Sequence, residues 1–254
     1  MSNYLRSEIY RVFHTKETYF LIAGLAASSV FIEVLMAVFV TKSLGTKDAF
    51  YGIFDGMKLL CFLCIIIASV VFAVESKNHS LKYAVAYGTA RGEIFLGRLI
   101  TELIVASICF VASLAAYIVG AYLMLSDSGS AYTIQLIKGT FAATPIFIVC
   151  MVFTHSLYYF IDNELTLSIV WTIVIAVIPK ILSALGSKVD MAGVIADYMP
   201  WYALSNITVD KKTGDYILGW LTNEGIIKCL LVGIIGSVVC YIIGLMVFRR
   251  KEIK

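Results

Sequence analysis

Three observations predict an all-α integral membrane protein. Of the 254 residues, 60% are hydrophobic and only 15% are charged, and the mean hydropathy is +0.90. A soluble domain typically carries about a quarter charged residues. The apolar residues fall in runs of the roughly 20 residues that a helix needs to cross the hydrocarbon core. These runs lack the period-2 alternation of a membrane barrel. Backbone polar groups in lipid must be satisfied internally, which leaves helices.

The chain opens with YLRSEIYRVFHTKETYF, where Leu5, Ile9, Val12 and Phe13 recur at the i, i+4, i+7, i+8 spacing of one helical face. Arg6, Glu8, Arg11 and Lys16 occupy other faces, so residues 1–18 read as a basic amphipathic helix in the membrane interface. This stretch is too polar, and the first apolar run too long, for a cleavable signal peptide. Six spans are predicted, at 19–40, 57–75, 99–124, 139–161, 165–185 and 226–248. Residues 41–56 are expected to form a short outer loop, and Ser126-Asp127-Ser128-Gly129-Ser130 marks a turn in loop 125–138. The short IDNEL stretch makes spans four and five a tight hairpin. Segment 186–225 is longer and more polar. In it Tyr198, Trp201 and Tyr202 surround Pro200, and such aromatic residues favour the membrane–water interface. Short re-entrant or interfacial helices broken at the proline are expected there, between spans five and six. The whole chain, 1–254, reads as a single transmembrane domain.

Lysine and arginine in the short loops orient the spans. With both termini cytoplasmic, the inner side holds Arg6, Arg11, Lys16, Lys77, Lys82, Arg91, Arg98, Arg249, Arg250, Lys251 and Lys254. The long segment 186–225 counts for little, because long loops respond weakly to the rule. The net charge of +3 adds no nucleic-acid signature beyond membrane-flanking charge.

Several chemistries lack their residues. No G-x-x-x-x-G-K-[ST] P-loop, H-E-x-x-H helix or G-x-S-x-G elbow occurs, so no catalytic residue, metal ligand or cofactor is assigned to this chain. Cys61-x-x-Cys64 lies in an apolar run without a second ligand pair, and its thiols read as small apolar fillers. His155, alone in a span, reads as an interior residue. Charges within spans are costly in hydrocarbon and face bundle interiors. They are Glu33 in the first span, Glu102 one turn after Arg98, and Lys180 beside Pro179, which could snorkel. Each is a candidate structural or functional charge.

The polar run between spans two and three, ESKNHSLK followed by AYGTARGEIFLGRL, resembles the corresponding segment of ABC-2 type transporter permeases. The matching residues are Glu75, Leu81, Lys82, Arg91, Glu93, Ile94, Phe95, Leu96, Gly97 and Arg98. It departs from the family pattern at His79-Ser80, where Gly-Thr is usual, and at Gly88, where proline is frequent. The N-terminal LRSEIYRVFHTKETYFLI is similar to the family's elbow helix, and the C-terminal LMVFRRKEIK to its usual ending.

The resemblance implies a cytoplasmic coupling helix within 76–98 that docks on a separate ATPase. Glu75, Lys77, His79, Leu81, Lys82, Val85, Arg91 and Glu93 would serve that contact, with Leu81, Ala84 and Val85 as its apolar part. It implies a permease subunit of an exporter in a bacterial cell membrane, not itself an enzyme. Two ATPase copies would bind ATP and Mg, and a second permease, identical or paralogous, would complete the path. Short permeases of this shape resemble systems that expel lantibiotics or other bacteriocin-like amphipathic peptides; drugs, lipids and ions remain open as cargo. An intramembrane enzyme would need paired glutamates and helix-borne histidines, which are missing; a non-transporting anchor or sensor partner is the third reading.

Overall fold

The computed structural model describes residues 2–39, 44–78, 84, 86–212 and 214–250. The amphipathic opening forms α1 (Ser2–Phe13), and the first apolar run forms α2 (Lys16–Phe39). The break between them is closed by two threonines. The hydroxyls of Thr15 and Thr18 both donate to the Val12 carbonyl at 2.7 Å, reinforcing a helix-end acceptor that the Thr15 amide reaches only at 3.4 Å.

Helix α3 (Thr46–Leu60) and α4 (Leu63–Asn78) follow, bent by 54° at the break between them. Next come two long helices, α5 (Arg91–Met124) and α6 (Ser130–Phe160). Then α7 (Glu164–Thr172), a π-helical turn (Ile173–Val177) and α8 (Ile178–Gly186) form one continuous rod. The π-turn directly precedes Pro179, whose ring breaks the ordinary ladder. Two short helices, α9 (Asp190–Asp197) and α10 (Pro200–Ala203), lead to an antiparallel pair, β1 (Ile207–Val209) and β2 (Tyr216–Leu218), with Thr208 opposite Ile217. A 3₁₀ turn (Gly219–Leu221) and the long α11 (Asn223–Arg250) complete the described chain.

The protein is predominantly helical, and among the described residues five helical runs are long and apolar enough to cross a membrane, or six if the bent α3–α4 pair is one span. They coincide with the predicted apolar runs, with different ends. α5 starts at Arg91 and α6 at Ser130, each a turn or more ahead of the expected 99 and 139. Two expected loops are largely helical: α3 occupies most of 41–56, and the turn within 125–138 is confined to 125–129. Segment 186–225 contains the expected short helices but also the small hairpin, a departure from the all-α expectation. Cys61 lies at the break of the bent α3–α4 pair.

The chain divides into two compact units, one of Met1–Phe50, Cys64–Thr133 and Leu245–Lys254, the other of Tyr51–Leu63 and Ile134–Gly244. In the first, α2 and α1 pack along α5, and residues 44–46 are zipped to 126–128. There the Thr46 amide donates to Ser126 O at 2.9 Å, and the Ser128 amide to the Thr46 hydroxyl at 3.0 Å. In the second, buried indoles have polar partners. Trp171 Nε1 donates to the Thr154 hydroxyl at 2.9 Å, and Trp220 Nε1 to Gly139 O at 3.1 Å, as buried tryptophans usually require.

Candidate functional site

The first unit gathers charge where α5 begins. Thr89 and Ala90 lead into α5 after Gly88, which has φ of +80°. A proline, held near −65°, could not take that conformation, so the glycine departure reflects a different turn. Arg91 opens α5, and its Nη1 donates to Phe248 O at 3.2 Å and Arg249 O at 2.6 Å. A cation on the last carbonyls of α11 satisfies acceptors the helix end leaves open and complements its dipole. One turn on, Phe95 meets Phe248 with ring centroids 6.1 Å apart, and both rings are buried. Glu93 lies in the first turn of α5, where an acidic side chain suits the helix dipole.

Deeper along α5, Arg98 and Glu102 are both buried, one turn apart as their spacing predicts. The Arg98 guanidinium lies 5.9 Å from the Phe72 ring centroid. Tyr4 of α1 sits beside Arg98. A Cβ added at Gly97 would come within 2.9 Å of the Tyr4 ring, so only glycine allows this approach of α1 to α5. Burial is the main cause that pushes the Tyr4 hydroxyl up to about 12, with Arg98 opposing and Glu8 adding to the shift. Glu8 is buried and forms an ion pair with Arg11. A cleft of about 360 Å³ bordered by Tyr4, Glu8, Arg11, Tyr87 and Thr89 opens beside this cluster.

The burial of Glu8 corrects the simple amphipathic picture of α1. Its inward face includes Val12, as expected, but also the carboxylate assigned to an outer face. The ion pair with Arg11, one turn on along the same helix, supplies the countercharge that lets the Glu8 carboxylate be buried.

Of the eight residues assigned to coupling, Arg91 and Glu93 lie in the first turn of α5, with Arg91 on the carbonyls of α11. Glu75 and Lys77 lie on the last helical turns of α4, but their side chains are outside the described residues. His79, Leu81, Lys82 and Val85 are outside the described residues altogether.

Glu33 is wholly buried on α2, facing Gly120 of α5, where an added Cβ would stand 3.5 Å from the Glu33 Cγ. Nearby, the Tyr117 hydroxyl donates to Ala49 O at 2.7 Å. Among the described residues no cation lies within ion-pair distance of Glu33. In the second unit, Lys180 directs its ammonium over the Trp201 ring, 4.8 Å from the centroid. Pro200 opens α10, Trp201 is buried, Tyr202 is half-buried and Tyr198 is exposed. His155 is an interior residue, wholly buried and edge-on to Tyr159 at 5.2 Å.

Sequence reasoning missed Tyr4 and the carbonyls that receive Arg91. Tyr4 precedes Glu8 by one helical turn, and that i, i+4 relation was the available signal. The Arg91 acceptors are backbone atoms far along the chain and leave no mark in side-chain pattern. No protein-family model matches this chain, and no curated protein matches it.

Proposed function

We propose that this chain is the membrane permease subunit of an ABC-2 type exporter, powered by ATP hydrolysed on a separate subunit. In this reading six spans cross a bacterial cell membrane with both termini cytoplasmic, and the bent α3–α4 pair supplies one of them. α1 is the elbow helix, residues 76–98 carry the coupling helix, and residues 186–225 lie outside. Two ATPase copies and a second permease, identical or paralogous, complete the transporter, with amphipathic peptides such as lantibiotics as the favoured cargo.

One observation carries the reading furthest. The residues that resemble the permease loop include Arg91, and Arg91 is fastened to the carbonyls of Phe248 and Arg249, within the stretch that resembles the permease ending. α1, similar to the elbow, packs on the same part of α5 through Tyr4 and Gly97. The three stretches of resemblance, far apart in sequence, thus meet in one unit. A push on the loop would reach α1, α5 and α11 together, which suits a two-state switch biased by nucleotide.

The test is reconstitution with the candidate ATPase in liposomes. Substrate-stimulated ATP hydrolysis should fall in Glu75→Ala and Arg91→Ala while both variants insert normally. Full stimulation in both variants would defeat the coupling assignment.

A further inference from the structure

Three lysines from three helices converge on the turn between α9 and α10. The ammonium groups of Lys180, on α8, and Lys58, near the end of α3, lie 4.8 Å and 5.7 Å from the Trp201 ring centroid. That of Lys228, on α11, lies 5.3 Å from the Tyr198 centroid. The two rings flank Met199-Pro200, and Pro200 at the start of α10 stiffens the turn. All five residues belong to the second compact unit.

Lys58 and Lys180 share a single indole. Ring faces attract ammonium groups but provide no countercharge. Among the described residues, none of the three lysines lies within ion-pair distance of a carboxylate. Asp55, one turn before Lys58, accepts instead from the Tyr216 hydroxyl at 3.2 Å. Asp197, exposed beside Tyr198, forms no ion pair. The cluster therefore has a charge deficit that an oxyanion with several acceptor oxygens would fill, each ammonium contributing donors. Lys180 and Lys228 stand near the ends of the apolar runs Glu164–Gly186 and Asn223–Arg250. That is the depth at which lysines and aromatic rings meet lipid headgroups.

We propose that Lys58, Lys180 and Lys228, with Trp201 and Tyr198, form a binding site for a phosphate anion, carried either by an acidic lipid headgroup or by a soluble phosphate. This site is independent of the permease reading and requires only that the chain sit in a bilayer.

Native mass spectrometry of the detergent-purified full chain tests it, with phosphatidylglycerol and phosphatidylcholine of equal chain length as probes. Phosphatidylglycerol should be retained preferentially, each lysine contributing about five-fold, and the triple variant K58Q/K180Q/K228Q should retain both lipids equally. Equal retention by the natural chain overturns the proposal, as does a preference that survives in a triple variant melting like the natural chain. If the triple variant does not fold, Lys180→Gln, at an exposed position, must lower the preference about five-fold; an unchanged preference overturns the site. Inorganic phosphate separates the two sources. Displacement of the lipid by it assigns a soluble phosphate to the site, and retention in its presence assigns the headgroup.

Discussion

The start of α5 in the first unit and the hairpin end of α6 in the second are both well packed, by different means. The former rests on charge: Arg91 on two carbonyls, a Glu8–Arg11 pair, Arg98 beside Tyr4, and the buried Glu102 on the same helix. The latter rests on rings. Tyr51 and Tyr216 stack with centroids 4.1 Å apart, Phe54 meets Trp220 at 6.2 Å, and Trp220 donates to Gly139 O. Stacked rings fix a shape, and their loss costs volume. Charges fastened to backbone carbonyls fix the ends of helices, and their loss releases a connection. In the proposed transporter the first kind of contact suits the end that receives a push, and the second suits a rigid outer platform.

The sharpest way to break this contrast is on the ring side. Trp220→Ala should cost about 3–5 kcal/mol, the range for emptying a buried aromatic site, and should lower the detergent melting temperature more than any single change at the start of α5. A mild effect there would mean that the ring cluster is not what holds the hairpin. Gly97→Leu comes next. Forcing a side chain against the Tyr4 ring should cost about 1–3 kcal/mol by overpacking. Protease cleavage within α1 should rise if α1 is held by that contact, and an unchanged digestion pattern would remove Tyr4 from the account.

Arg91 separates charge from shape. Arg91→Ala should cost about 1.5–2 kcal/mol, the loss of charged hydrogen bonds, read in the same melts. Arg91→Lys keeps the charge but not the planar fork, so it should recover only part of that loss. Complete rescue by lysine would show that charge alone acts at the end of α11.

The smallest effect concerns Tyr4. Burial favours the neutral phenol, so the folded chain holds this proton until about pH 12, while the unfolded chain releases it near 10. The folded state thus binds more protons between these values. The stability this group contributes is complete below pH 10 and is lost as the pH rises towards 12. Tyr4→Phe should flatten that part of the stability–pH curve; an identical curve would contradict the burial of the hydroxyl.

The apolar runs were legible in the sequence because a membrane demands length and hydropathy, both of which are local properties. α3 was not, since Asp48, Asp55 and Lys58 interrupt its hydropathy. Its periodicity was nevertheless present: Phe50, Phe54, Met57 and Cys61 recur at helical spacing and all are buried. The β1–β2 pair escaped because strands of three residues carry almost no alternation signal, and its closing turn depends on Gly214 at φ of +68°. At the candidate site, Arg91, Glu93 and Arg98 were marked by resemblance and spacing, and the carbonyls that receive Arg91 were not. Glu8 illustrates the limit most clearly. It is buried although the apolar spacing of α1 left it off the inward face, because α1 packs along α5, which lies far along the chain. Lys180 was expected to snorkel; that Lys58 would join it on the same indole depends on where α3 ends.

The central claim, that this chain works with an ATPase it does not contain, is tested most directly by purifying the tagged protein from its native membrane in several gentle detergents and identifying what accompanies it. The account predicts a stoichiometric P-loop ATPase that is lost when residues 75–98 are altered. A chain that purifies without any ATPase under all of those conditions would contradict the account and favour an anchor or sensor role.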